Sequence, residues 1–149
     1  INKRLNLLDK NQICINGGVS SQFISGLLLG LSTLTAPYRI KVYDKLISMP
    51  YIEITLRLLY TFGVSVEFSN NEFILYNNNI LKSCEYTIEP DASNASYFLS
   101  MGAINGDISI CGLGNNSIQG DKLYANVLAQ MGANVVSSSD NIRVYKCFL

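Results

Sequence analysis

Two hydroxyls and an amide stand together in Ser20-Ser21-Gln22, directly ahead of the apolar positions Phe23, Ile24, Leu27, Leu28 and Leu31. The spacing predicts a helix whose start carries all three polar side chains. A helix N-terminus presents unpaired N–H groups and partial positive charge. Serine hydroxyls and a glutamine amide added there make a neutral cradle for a phosphate or carboxylate. Gly17 and Gly18, just ahead, let backbone approach a ligand closely. Ser48-Met49-Pro50-Tyr51 offers a second such start, with a hydroxyl, a phenol and a proline suited to a first turn. A plain N-cap accounts for each start without any ligand.

Other chemistries are excluded or unsupported. The 149 residues contain no His, so His-based triads and His-ligated metals are ruled out within them. Cys14, Cys84, Cys111 and Cys147 form no CxxC pair. Scattered in this way, they are expected to be small buried hydrophobes in a reducing cytosol. Eleven Lys and Arg balance eleven Asp and Glu, which argues against a binder driven by nucleic-acid phosphates. Gly112-Leu113-Gly114 lacks the third glycine of a dinucleotide fingerprint and the lysine of a P-loop. Asp91 and Asp121 have the type of a catalytic carboxylate pair, but both fall at helix starts, where capping explains them. The longest apolar stretch, Phe23 to Leu34, is too short and too interrupted to span a bilayer. Ile1-Asn2-Lys3-Arg4 opens no signal peptide, and a start at Ile reads as a piece of a longer polypeptide.

The elements that position these residues follow from periodicity. Strands are expected at Gln12–Ile15, Tyr38–Tyr43, Val64–Phe68 and Phe73–Tyr76, the last two joined at Asn70-Asn71. The helix after Pro50 carries Ile52, Leu56, Leu59 and Tyr60 and ends at Gly63. The order then returns. A strand at Tyr86–Glu89 is followed by a helix with Ala95, Phe98, Leu99 and Met101, then a strand at Ile108–Cys111. A helix with Leu123, Val127, Leu128 and Met131 ends at Gly132, before a hairpin of Val135-Val136 and Ile142–Tyr145 around Ser139-Asp140-Asn141. A β-α-β-α-β-β unit thus occurs twice: an α/β (α+β) repeat with polar helix starts suited to an anion. The boundary between the units lies near Asn77 to Cys84.

Four stretches carry a resemblance to a known family. Gly18-Val19-Ser20-Ser21-Gln22-Phe23 resembles the SSQ motif of EPSP synthase (3-phosphoshikimate 1-carboxyvinyltransferase). Ser48 to Leu56 resembles its S-[KR]-P-Y-I-D-I-T-L stretch, and Glu89 to Phe98 its E-[GP]-D-A-S-x-A-S-Y-F stretch. Asn116 to Asp121 resembles N-S-x-Q-G-D. Order and spacing agree across nearly the whole chain.

The resemblance implies the inside-out α/β barrel fold of enolpyruvyl transferases, with two domains of three such units each. Residues 1–88 would close the first domain and residues 89–149 open the main part of the second, with the hinge near 89–91. It implies transfer of the enolpyruvyl group of phosphoenolpyruvate to the 5-hydroxyl of shikimate 3-phosphate in the shikimate pathway. No metal or organic cofactor, no nucleic acid and no membrane is implied; the full-length parent is expected to be a cytoplasmic monomer. Matched residue by residue, Ser20, Ser21 and Ser48 fall on positions that hold the shikimate phosphate, and Tyr51 on the shikimate part. Gln22 falls in the substrate site and near phosphoenolpyruvate. Met49 stands where the family has Lys or Arg, so one positive charge is missing; Glu53 for Asp and Asn94 for Ser are mild departures. The family's N-terminal Lys-Ser pair, its phosphoenolpyruvate-binding arginines, its catalytic Asp and Glu and its late Lys lie outside these residues. The segment alone is therefore expected to be inactive. UDP-N-acetylglucosamine enolpyruvyl transferase shares fold and donor but lacks the SSQ motif at this helix start. A non-catalytic binding module of the same fold is the alternative of a different class.

Overall fold

The computed structural model describes residues 11–76 and 80–146. Two compact units divide between Glu85 and Tyr86.

The first unit runs β1 (Gln12–Asn16), α1 (Ser21–Leu31), β2 (Tyr38–Tyr43), α2 (Met49–Thr61), β3 (Val66–Ser69) and β4 (Glu72–Leu75). Its sheet has the order β1-β2-β4-β3, with β1 parallel to β2 and the other pairs antiparallel. Strict alternation in β2 buries Tyr38, Ile40 and Val42 and exposes Arg39 and Lys41, as the period of two requires. Against this face α1 lays Ile24, Leu28 and Leu31, and α2 lays Ile52 and Leu59. The two-residue turn between β3 and β4 holds Asn70 and Asn71 at φ 51° and 60°, the left-handed pair of a type I′ hairpin.

The second unit contains α3 (Ala92–Asn105), β5 (Asp107–Cys111), a 3₁₀ turn at Gly120–Leu123, α4 (Tyr124–Gln130), β6 (Asn134–Ser137) and β7 (Asn141–Tyr145). Its antiparallel sheet has the order β5-β7-β6. Its core joins Ala92, Ala95 and Leu99 of α3 to Ala125 and Leu128 of α4 and to Ile142 and Val144 of β7.

The repeat is most exact where helices end. Gly63, at φ 87°, donates its N–H to Tyr60 while Val64 donates to Leu59. Gly132, at φ 98°, donates to Ala129 while Ala133 donates to Leu128. Both are Schellman caps with the paired bonds in the same places.

Several sequence expectations are corrected. Tyr86–Glu89 forms no strand. The segment is held by its end, where side chains of the Ser117–Gln119 loop hold Glu89 and Pro90. Val64 belongs to the helix cap, and its strand begins two residues later. The second hairpin is not a copy of the first: three residues, Ser138 to Asp140, separate β6 from β7, where two separate β3 from β4. That loop is opened because Gly112, Asn115 and Asn116 donate N–H groups to the carbonyls of Asp140, Ser138 and Ser139. The helix stripes are also rearranged. Phe98, Met101, Leu123, Val127, Met131 and Tyr60 are exposed. In α3 the small residues face the sheet instead: a Cβ on Gly102 would lie 2.5 Å from the Val144 carbonyl, so backbone meets backbone there. Cys14, Cys84 and Cys111 are exposed free thiols, not buried hydrophobes, because Cys14 and Cys111 sit at outward strand positions and Cys84 in an exposed connection. Cys147, Asn77, Asn78 and Asn79 lie outside the described residues.

Candidate functional site

Because β1 and β2 are parallel, α1 and α2 both begin at the same, carboxyl end of that strand pair, where open α/β sheets hold their ligands. The loops leading into the two helices are joined. The Ile47 N–H donates to the Gly17 carbonyl at 3.1 Å, and Asn16 Nδ2 donates to Asp44 Oδ2 at 2.7 Å. A Cβ on Gly17 would lie 2.6 Å from a Val42 methyl and 3.1 Å from the Leu46 Cα, so the close packing of the loops requires glycine there. Asn16 Oδ1 also accepts from the Gly18 N–H at 2.7 Å, folding the chain toward α1.

Ser20 is the N-cap of α1, its hydroxyl oxygen accepting from the Gln22 N–H at 3.2 Å. Ser21 is buried at the first helical position, and its hydroxyl has no partner among the described residues. Gln22 is exposed beside it. Ser48 holds the cap position of α2 in a left-handed conformation, φ 55° and ψ 41°, and its side chain makes no cap bond. The plain-cap reading therefore fits Ser20 but not Ser48, a strained backbone position of the kind that functional sites retain. Tyr51 is exposed one turn on. Neither α1 nor α2 has an acidic residue in its first turn, so no carboxylate of the helix itself meets the positive end of either dipole.

The helix starts of the second unit are built differently. Asp91 caps α3, accepting from the Ser93 N–H at 2.9 Å and from Asn94 Nδ2 at 2.7 Å. Asp121 accepts from the Ser93 hydroxyl, and Gln119 Oε1 accepts from the Ala92 N–H at 2.9 Å. Glu89 accepts from the Ser117 hydroxyl, Gln119 Nε2 and the Ile118 N–H. Partial burial raises its pKa, but those bonds and the Lys122 charge together outweigh it and hold the carboxyl below its ordinary value. In α3 the Asp91 carboxylate and the Gln119 amide oxygen thus take the Ser93 and Ala92 N–H groups, whereas in α1 the Ser20 hydroxyl takes the Gln22 N–H.

Sequence reasoning missed the residues that set the two first-unit helices together. Thr55 is buried in α2 and donates its hydroxyl to Ser25 of α1 at 2.9 Å. Ser25 looked like an interruption of an apolar run, and no spacing rule pairs it with Thr55. Asn16 and Asp44 likewise gave no pattern. A polar residue at a strand end before Gly-Gly was the available signal. A groove of about 490 Å³ runs along the same edge, lined by Ile15, Asn16, Val19, Gln22, Phe23, Gly26 and Leu27. It takes in Gln22 but not Ser20, Ser21, Ser48 or Tyr51, and its apolar lining is unsuited to an anion. Among the described residues no cluster of three His, Cys, Asp or Glu is placed to hold a metal, and no helix is long and apolar enough to cross a membrane.

A family model described as EPSP synthase (3-phosphoshikimate 1-carboxyvinyltransferase) matches residues 2–147. The 3-phosphoshikimate 1-carboxyvinyltransferase of Actinobacillus pleuropneumoniae serotype 5b (strain L20) is 44% identical over 138 residues, covering 91% of this chain and 32% of the relative. That of Pasteurella multocida (strain Pm70) is 43% identical over 141 residues, covering 93% and 32%. Among solved structures, EPSP synthase from Acinetobacter baumannii superposes with a TM-score of 0.64 at 21% identity, covering 90% of this chain and 31% of that one. The enolpyruvyl transferase NikO from Streptomyces tendae does so with 0.60 at 15% identity, covering 91% and 35%. These two likenesses speak for the fold alone. The chain spans 32% of the length of the curated relatives it matches. Matched by one family model over nearly all of its residues and by curated relatives at more than 40% identity, the chain belongs to the EPSP synthase family.

Proposed function

We propose that the whole protein transfers the enolpyruvyl group of phosphoenolpyruvate to the 5-hydroxyl of shikimate 3-phosphate, releasing phosphate, and that this chain supplies part of the acceptor site. Ser20, Ser21 and Ser48 hold the phosphate, Tyr51 faces the shikimate part, and Gln22 serves the substrate site and phosphoenolpyruvate. The reaction uses no metal or organic cofactor. Residues 1–88 close one domain and residues 89–149 open the other, hinged near 89–91, in a monomeric cytoplasmic enzyme that binds neither nucleic acid nor membrane.

The observation that carries this reading is the joining of the two helix starts at the carboxyl end of β1 and β2 by the Ile47–Gly17 and Asn16–Asp44 bonds. It sets the N-termini of α1 and α2 side by side, each without a carboxylate of its own in the first turn. Two such dipole ends with hydroxyls added are a site for a dianion.

Titration of the isotope-labelled chain with shikimate 3-phosphate tests it, with UDP-N-acetylglucosamine as the comparison ligand. Saturable amide shifts at Ser20, Ser21, Gln22, Ser48 and Tyr51 with the first ligand alone are expected. A response to UDP-N-acetylglucosamine and none to shikimate 3-phosphate would overturn the assignment of the acceptor.

A further inference from the structure

Helices α1 and α2 pack against each other, and what they turn toward the first core is mainly apolar: Ile24, Leu28 and Leu31 from α1, Ile52 and Leu59 from α2. One rung between them is different. Thr55, 8% exposed in α2, donates its hydroxyl to Ser25 Oγ of α1 at 2.9 Å. Ser25 stands four residues after Ser21, and Thr55 four after Tyr51. Each member of the pair therefore lies one turn below a residue of the candidate site, on the same face of its helix. Thr55 Oγ1 is also 3.4 Å from the Tyr51 carbonyl, the usual partner of a hydroxyl inside a helix. A hydroxyl has one proton, and the shorter bond reaches across to α1.

Packing alone does not call for this bond. Two apolar side chains of the same shape would fill the seam about as well, because the hydroxyls give up water to meet each other. What the bond adds is direction. Apolar contacts hold two helices together but leave small rolls and slides open, whereas a hydrogen bond fixes one turn of α1 against one turn of α2. Ser20 has its own anchor in the cap bond to the Gln22 N–H. Ser21 is 7% exposed, and its hydroxyl has no partner among the described residues. Where that hydroxyl stands relative to Ser48 and Tyr51 therefore follows from how α1 is rolled against α2.

We propose that Ser25 and Thr55 are positioning residues of the anion site: their bond sets the roll of α1 on α2, and the affinity for a phosphate monoester held between the two helix starts depends on it. The inference rests on the acceptor-site reading given above and adds to it two residues that do not touch the ligand.

Three variants of the complete 149-residue chain separate positioning from packing, each read by titration with shikimate 3-phosphate and by its urea midpoint. Ser25→Ala removes the bridge, while Thr55 keeps the Tyr51 carbonyl within reach and alanine favours the helix. The double variant Ser25→Ala with Thr55→Val refills the seam with apolar groups. Both should hold or raise the urea midpoint, yet bind shikimate 3-phosphate about fivefold more weakly, as the loss of one hydrogen bond's worth of orientation requires. Thr55→Ser does the reverse. It keeps the hydroxyl and gives up a buried methyl, so the midpoint should fall while the affinity stays at the parent's value. Parent-like affinity in Ser25→Ala and in the double variant would overturn this inference alone and leave the acceptor site standing. Affinity that follows the midpoint across the three variants would also overturn it, because the pair would then act through stability. No binding by the parent chain would overturn the acceptor-site reading, and the inference with it.

Discussion

Ser20 and Ser21 are neighbours with different duties toward the fold. The Ser20 hydroxyl accepts from the Gln22 N–H, so Ser20→Ala is expected to cost about 1 kcal/mol of stability through loss of the cap. The Ser21 hydroxyl has no partner among the described residues, so Ser21→Ala should change stability by less than about 0.5 kcal/mol. Urea unfolding of the two variants reads this difference. In the family-length enzyme both substitutions should raise KM for shikimate 3-phosphate by about tenfold or more if each removes the proposed bond to the charged phosphate. A Ser21→Ala enzyme with unaltered KM would remove Ser21 from the proposed site. Glu89 is a residue-scale prediction of another kind. Its carboxyl lies below the ordinary value in the folded chain, so it contributes stability above its unfolded pKa. That contribution is lost as pH falls through the lower, folded value. Glu89→Gln should therefore be less stable than the parent at neutral pH, with the gap closing toward acid in urea midpoints taken across pH. A gap constant with pH would show that the carboxylate's charge is immaterial.

At the scale of elements, the two Schellman caps allow a paired test. Both glycines are left-handed, which costs a non-glycine residue about 1–2 kcal/mol. A Cβ on Gly132 meets nothing within 4 Å, whereas one on Gly63 would lie 2.8 Å from the Ile80 carbonyl. Gly132→Ala should cost only the conformational term. Gly63→Ala should cost a further 1–3 kcal/mol, roughly, from forced overlap with backbone. Equal losses in thermal or urea unfolding would mean that the Ile80 segment yields freely. The same scale shows how differently the starts of α1 and α3 are built. Asp91 and Gln119 close the start of α3 from within, and Asp121 accepts from its Ser93 hydroxyl. Thr55–Ser25 and Asn16–Asp44 fix the first unit's starts without covering them.

For the whole molecule, length governs what is expected. The chain covers 32% of its curated relatives, and the residues that the family resemblance assigns to catalysis are not among its 149. Incubated with phosphoenolpyruvate and shikimate 3-phosphate, the chain alone should release no phosphate above the uncatalysed background. Measurable turnover by the purified chain would mean that Ser20, Ser21, Gln22, Ser48 and Tyr51 do more than bind. Binding without turnover is the expected pair of results, because a cradle of helix ends lowers no barrier without groups that move protons at the reacting atoms.

The family was legible in the sequence because its motifs are local: Ser20-Ser21-Gln22, the Ser48 to Leu56 stretch and the Glu89 to Phe98 stretch need no folding to be read. Turns and helix ends were legible for the same reason. Gly63, Gly132 and Asn70-Asn71 take left-handed backbone that few residues tolerate, so residue type alone marks them. What needs a partner was not legible. Tyr86–Glu89 alternates like a strand, yet a strand depends on another to supply its bonds, and the segment is not one among the described residues. Helical periodicity marked Phe98 and Met101 as a buried stripe, but Gly102 and Ala95 let α3 sit too close to its sheet for large side chains to lie between. Ser48 looked like a cap and is instead a strained, uncapped position, a difference that lies in φ and not in residue type. Sequence by itself determined the order of the elements and their identities, apart from the strand expected at Tyr86–Glu89. Tertiary structure alone decided which edges are paired, which helix faces are covered and which helix starts stay open, because each depends on groups distant in the chain.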